Sequence, residues 1–192
     1  MDLRARLHCT RSATLALCKG VLVRPLEGIK VLDLSRVLAG PFAGRILHDL
    51  GAEVVKVEPP EGDVTRNWGK VRAGLAGYYT QQNAGKRNVC IDLRAEGGPE
   101  LIRRLAAEAD VLIENFRPGI MKKFALGYDD LKAVNKKLVM LSISGFGQEG
   151  PESGRAAYAP ILHGESGWLQ RSAEWNEQPV TDLNLSAADT NA

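Results

Sequence analysis

The alternation of apolar and polar positions becomes regular at Leu26. Ile29 to Leu34 (IKVLDL) is a short run rich in β-forming residues, and Ser35 closes it. PFAGRILHDLGA follows, with apolar residues at helical spacing, Pro41 near the start and Gly51 as a stop. Glu53 to Glu58 (EVVKVE) is a second apolar run, ended by Pro59-Pro60-Glu61-Gly62-Asp63, so the segment predicts a strand–helix–strand unit. The pattern then recurs. Asn88 to Leu93 predicts a strand, GGPELIRRLAAEA a helix with Pro99 in its first turn, and Asp110 to Asn115 another strand. A helix over Tyr128 to Asn135 leads to a strand over Leu138 to Ile143. Strands that alternate with helices and are apolar on both faces predict an α/β fold, a Rossmann-like, mostly parallel sheet with helices on both faces.

After Gly145 the texture loosens into GFGQEGPESGRAAYAP. A short helical stretch is expected around His163 to Leu169, followed by polar EWNEQP and then VTDLNLSAADTNA. The sequence ends on small and apolar residues without a cap, which is the expectation for a polypeptide cut short. A parallel sheet lacking its later strands is expected to expose a broad apolar surface and, by itself, to be inactive. No internal repeat or low-complexity segment interrupts the 192 residues.

Composition narrows the classes. With 44% hydrophobic and 25% charged residues the chain can bury a core, and its length suits one domain. Lys+Arg 25 against Asp+Glu 23 leaves a formal charge of +2, with the basic residues dispersed, so no nucleic-acid partner is expected. Cys9, Cys18 and Cys90 are odd in number and lack CxxC spacing, which supports neither a disulfide framework nor a metal site. The apolar runs fall far short of the roughly 20 residues that span a bilayer, so a soluble protein with no membrane partner is expected. Residues 1–25 carry Arg4, Arg6, Arg11, Lys19 and Arg24 against Asp2. They form an extension with two readings, a mitochondrial transit peptide or a frayed start. The location expected is cytoplasmic, or the mitochondrial matrix under the first reading.

In an open α/β sheet the ligand crevice lies at the carboxyl ends of the strands, which selects the loops SRVLAGP, EPPEGDVTR, ENFRPG and SGFGQEGP. The first combines Gly40, Gly44 and Pro41 at a helix start, where free backbone amides suit an anion. The GxGxxG of a dinucleotide site is missing there, and Glu58 is by itself a weak substitute for a ribose-binding acid, so a nicotinamide enzyme is one alternative. Lys86-Arg87, taken alone, is a solvated strand end or a pair of cations for a phosphate. Gly145-Phe146-Gly147 is a plain loop or a mobile one.

Taken together, LEGIKVLDLSRVLAGPFAGRILHDLGAEVVKVEPPEGDVTR, NAGKRNVCIDL, ADVLIENFRPG and SGFGQEGP resemble, from about Leu26 onward, the amino-terminal half of the class III CoA-transferases. That family includes formyl-CoA, carnitine and succinyl-CoA-dependent transferases, with α-methylacyl-CoA racemase as a sister branch. The resemblance implies that residues 26–192 are the amino-terminal part of a CoA-binding large domain, ending before the family's small domain. It implies an interlocked homodimer for the full-length family member. Coenzyme A and acyl-CoA enter as substrates, with an acyl-CoA donor, a carboxylic acid acceptor and no tightly bound cofactor. By position it assigns CoA contacts to Arg36, Val37, Leu38 and Ala39, to Asn83, Lys86, Arg87 and Ile91, and to Asn115, Phe116 and Lys123. Pro59 and Lys123 stand where some members have arginine, which removes one phosphate contact and makes another a point charge.

The same resemblance makes Asp189, just after an expected small-residue strand, the nucleophile of a CoA transfer through an aspartyl-CoA thioester. Read alone, Asp189 caps a helix beginning at Thr190. The racemase branch instead needs a His-Asp pair, and here those positions are Tyr158 and Ala159. A phenol of pKa near 10 is a poor base at neutral pH, which disfavours racemisation. His163, five residues on, is expected to be an ordinary helix-face histidine, with a catalytic role as its alternative. A non-catalytic CoA-binding fragment is the remaining alternative.

Overall fold

The computed structural model describes residues 24–182 and 186–190, so the expected extension at residues 1–25 lies almost wholly outside the described residues. Strand β1 (Lys30–Asp33) leads through helix α1 (Ala39–Asp49) to β2 (Glu53–Glu58). A 3-10 turn at Val64–Asn67 and a hairpin of β3 (Val71–Arg72) and β4 (Leu75–Ala76) precede α2 (Gly77–Asn83) and β5 (Arg87–Cys90). Then come α3 (Gly98–Ala107), β6 (Val111–Glu114), α4 (Ile120–Lys123), α5 (Tyr128–Val134) and β7 (Val139–Ser142). Helices α6 (Ala159–Glu165), α7 (Trp168–Asn176) and α8 (Ala187–Thr190) complete the described chain.

The long strands form one sheet in the order β5-β2-β1-β6-β7, and every neighbouring pair is parallel. Side chains alternate between its faces. Leu32 and Leu112 pack with Ile102 and Ala106 of α3 and Leu131 of α5, while Val31, Val54 and Ile113 pack with Leu47 of α1. Ile102, Leu112, Ile113 and Leu131 are wholly buried, each worth roughly 1.5–3 kcal/mol of apolar transfer, and these two clusters hold the helices to the sheet. The expected strands and the helices of the first 142 residues are therefore present, within a few residues at their ends. The stretch expected around His163 to Leu169 differs, because Gly167 at φ +73° ends α6 and separates it from α7. Apolar groups stay uncovered on β7 and α7, where Val139 is 61% and Trp175 80% exposed. No helix among the described residues is long and apolar enough to cross a membrane.

Glu58, at the carboxyl end of β2, ties the following turn and α2 to the sheet. Its carboxylate accepts from Arg66 at 2.6 and 2.9 Å, from the Tyr79 hydroxyl at 2.5 Å, from the Asp63 amide at 2.9 Å, and from Asn88. Burial alone would raise its pKa, but Arg66, Tyr79 and the Asp63 amide together lower it from 4.5 to about 2. The folded chain therefore binds this proton less readily than the unfolded one. The resulting stabilisation, on the order of 3 kcal/mol, is fully present above about pH 4.5 and is lost as pH falls through about 2. Glu58→Gln is expected to flatten the dependence of the urea midpoint on pH across that window. An unchanged slope would place the acid sensitivity elsewhere.

Candidate functional site

The strand order reverses between β1 and β6, so the loops after these two strands diverge and leave a crevice at their carboxyl ends. Asn115 spans it: the side-chain carbonyl accepts the Arg36 amide at 2.7 Å, and the side-chain amide donates to the Arg36 carbonyl at 2.7 Å. Beside it, Val37 has φ +68°, a left-handed conformation that costs a β-branched residue roughly 1–2 kcal/mol. The Val37 amide donates to Asp63 at 3.2 Å.

Below this loop lie two fully buried ion pairs, Lys86 with Asp33 at 2.8 Å and Lys56 with Asp63 at 3.2 Å. Lys56 also donates to the Ser35 carbonyl at 2.7 Å, and Asp33 accepts the Ser35 amide at 2.9 Å and the Ser35 hydroxyl. Burial would raise the Asp63 pKa, but the Thr65 amide, Lys56 and the Thr65 hydroxyl lower it. The Lys86 pKa is lowered by burial, with Asp33 opposing. Gly40 and Gly44 let α1 lie directly on this layer. A Cβ at Gly40 would overlap the Ser35 side chain, and one at Gly44 would stand 2.8 Å from the Asp33 carboxylate and 3.2 Å from the Lys86 ammonium.

Two cavities open at this edge. One, of about 280 Å³, is lined by Arg36 to Ala39, Asn115 to Pro118, Ile143 to Gly145, Arg155 to Tyr158, Leu162, Ala188 and Asp189. The second, of about 290 Å³, has an apolar floor of Leu34, Val57, Ile91, Leu93, Ile120 and Phe124, with Glu58, Glu61, Asp92 and Arg94 at its rim. Arg36 and Phe116 belong to both, the guanidinium 5.4 Å from the ring centroid. Arg155 is paired with Glu152 and Glu165 and lies 4.6 Å from the Phe146 ring, which ties it to the Gly145–Gly147 loop.

Asp189 lies in the first turn of α8, inside a helix rather than directly after a strand; residues 183–185 lie outside the described residues. Burial raises its pKa above the ordinary aspartate value, opposed by the Ala159 amide. Asp189 in turn helps burial raise the pKa of Tyr78. His163 lies on α6, as a helix-face residue should, and its ring is turned inward. It is 1% exposed, with Nδ1 3.3 Å from Asp182 and Nε2 accepting the Ala188 amide at 3.3 Å.

The structure brings Arg36, Val37, Leu38, Ala39, Asn115, Phe116 and Asp189 to one cavity, with Ile91 in the neighbouring one. Four expected contacts stand elsewhere. Lys86 has no exposed charge to offer, since its ammonium donates to Asp33, to the Pro41 carbonyl at 2.7 Å and to Asn83 at 3.0 Å. Asn83 is buried in that same cluster, also donating to the Tyr79 carbonyl. Arg87 is exposed and pairs with Glu53 at the start of β2. Lys123 is an exposed residue of α4, next to the cavity residue Phe124. Arg94 and Arg155 were not singled out by sequence. The one signal for Arg94 is its place just past a strand's carboxyl end, a position shared by many ordinary loop cations.

Residues 26–191 match the family model described as CoA-transferase family III. The chain is 46% identical over 164 residues to a succinate–glutarate CoA-transferase of Agrobacterium fabrum, covering 81% of this chain and 41% of that protein. It is 43% identical over 160 residues to a human succinyl-CoA:glutarate CoA-transferase, covering 82% of this chain and 36% of that one. Among solved structures, a CaiB/BaiF family protein from Brucella suis superposes with a TM-score of 0.80 at 46% identity, over 86% of this chain and 45% of that one. The chain thus spans about two-fifths of the length of the curated relatives it matches.

Asn115→Ala is expected to speed hydrogen exchange at the Arg36 amide about tenfold, the loss of one part-buried hydrogen bond. The Leu34 amide, bonded to Ile113 at 2.8 Å, should be unaffected, and equal change at both would mean that Asn115 supports the sheet rather than the loop. Gly44→Ala sets two effects against each other. Helix propensity favours alanine by about 1 kcal/mol, whereas intrusion on a packed ion pair costs about 1–3 kcal/mol. A lowered melting temperature is expected, and a raised one would show that the pair has room to give.

Proposed function

The chain belongs to CoA-transferase family III, and from that premise we propose that it forms the amino-terminal part of the CoA-binding large domain of an enzyme that moves CoA between two carboxylic acids. The observation that carries the reading is that the loop Arg36 to Ala39, Asn115, Phe116 and the carboxylate of Asp189 line one cavity. In this proposal the second cavity takes the purine on its apolar floor, with Phe116 and Phe124 beside the ring and Arg94 and Arg36 near the phosphates. The pantetheine arm crosses the shared wall of Arg36 and Phe116 and delivers the thioester to Asp189.

The Asp189 carboxylate attacks the thioester carbonyl, the C–S bond breaks, and CoA leaves as thiolate, giving a mixed anhydride. The thiolate then attacks the aspartyl carbonyl, releasing the donor acid as carboxylate and leaving an aspartyl-CoA thioester. The acceptor carboxylate attacks that carbonyl, and the expelled thiolate takes the acceptor's acyl carbon from the new anhydride, freeing Asp189. One thioester replaces another, no proton is consumed, and no metal or redox group is required. What the protein supplies is orientation and exclusion of water from two hydrolysable intermediates. Partial burial of Asp189 serves this by weakening hydration of the attacking oxygen. The interlocked homodimer implied by the family belongs to the same proposal. A racemase reading gains no support, since Tyr158 and Ala159 occupy the positions of the base pair.

In a chain that carries the whole family fold, incubation with an acyl-CoA followed by hydroxylamine is expected to leave a hydroxamate on Asp189, read by peptide mass spectrometry, and Asp189→Ala should abolish it while retaining CoA binding. A labelled residue other than Asp189, or binding without any label, would overturn the assignment. Because the attacking carboxylate must be ionised and its pKa is raised, chiefly by burial, the rate of labelling should fall with pH at a point above the ordinary aspartate value of 3.8. An acid limb at or below that value would show an unperturbed group.

A further inference from the structure

His163 and Asp189 come from different helices, and α6 holds α8 at two places. The Ala159 amide, in the first residue of α6, lies by the Asp189 carboxylate and favours its ionised form. One turn on, the buried His163 ring stands between Asp182 and the Ala188 amide, its edge packed on Trp168 with ring centroids 5.0 Å apart. An amide N–H only donates, so Nε2 must carry the lone pair, and the proton sits on Nδ1 facing the Asp182 carboxylate. Ala188 is in the first turn of α8, where an amide has no acceptor within its own helix. The imidazole supplies that acceptor one residue before Asp189.

We propose that His163 is a positioning residue for Asp189: as the neutral Nδ1–H tautomer it anchors the Ala188 amide and so keeps the adjoining Asp189 carboxylate facing the cavity. The contribution to catalysis rests on the reading of Asp189 as nucleophile, while the anchoring is measurable without turnover. The ionisable groups facing the ring are Asp182, from the segment after α7, and Asp189 itself; α7 contributes the Trp168 ring. Protonation puts a second N–H on Nε2 against the Ala188 N–H, and the anchor is lost.

Three forms of the chain test this: unsubstituted, His163→Phe, which keeps a ring against Trp168 but offers no acceptor, and His163→Gln, which restores one. Imidazole nitrogen NMR shifts should report the Nδ1–H tautomer in the unsubstituted chain. Its Ala188 amide should be protected, with protection falling about tenfold when the imidazole is protonated. His163→Phe should lack this protection at every pH, and His163→Gln should recover it with no step in pH. Formation of the Asp189 hydroxamate should slow about tenfold in His163→Phe at unchanged acyl-CoA affinity and recover in His163→Gln. An Nε2–H tautomer, or equal Ala188 protection in the unsubstituted and Phe chains, would overturn the proposal. Should His163→Phe fail to fold, the tautomer and the absence of a pH step in His163→Gln decide. Correct tautomer and protection, with no hydroxamate in an unsubstituted chain that carries the whole family fold, would uphold the anchoring and reject Asp189 as nucleophile.

Discussion

The loop after β1 is held by two ion pairs that cannot be reached by water. Lys86 with Asp33 and Lys56 with Asp63 lie under α1, and between them and Asn115 they engage the backbone of Ser35, Arg36 and Val37. Removing one member of such a pair strands its partner's charge, at a cost of about 3–5 kcal/mol, so the arrangement persists as a unit. This is why Val37 can hold a left-handed conformation. Its strain is roughly 1–2 kcal/mol, less than the hydrogen bonds to charged groups that fix it, at about 1.5–3 kcal/mol each.

Much of the fold was legible because buried parallel strands are written as short apolar runs, and Ile29 to Leu34 and Asp110 to Asn115 each carry one at their centre. The hairpin of β3 and β4 and the helix α2 were not legible. Two-residue strands carry no periodicity, and Gly77 to Asn83 is polar at most of its positions. The crevice loops were legible from topology, since strand ends must face the ligand. Lys86 was misread for a physical reason. A dibasic pair at a strand end gives no sign of which way each long side chain runs, and here Lys86 turns inward to Asp33 while Arg87 reaches Glu53 on the surface. The burial of His163 between Asp182 and Ala188 was not legible because those partners lie 19 and 25 residues away in sequence.

The two halves of the site are held by different means. The loop after β1 sits on two buried ion pairs. The segment bearing Asp189 is held to α6 through the Ala188 amide on the His163 ring, a contact weaker than a buried ion pair. The thioester exchange proposed above would need little chemical driving force but tight alignment, and under that reading the more rigid half suits recognition of a large invariant ligand. The softer half suits acids that must enter and leave.

Arg36, resting against Phe116, stands between the two cavities and forms part of both walls. A partition shared by two chambers gives them a common geometry. Under the proposed reading, any shift of the guanidinium that widens the space for a purine narrows the passage to the Asp189 carboxylate beyond, and the reverse. Selection therefore meets a single compromise at this position, in which grip on one end of a long ligand and access at the other rise and fall together, and variation in acid preference is left to the side of the second chamber that lies away from it.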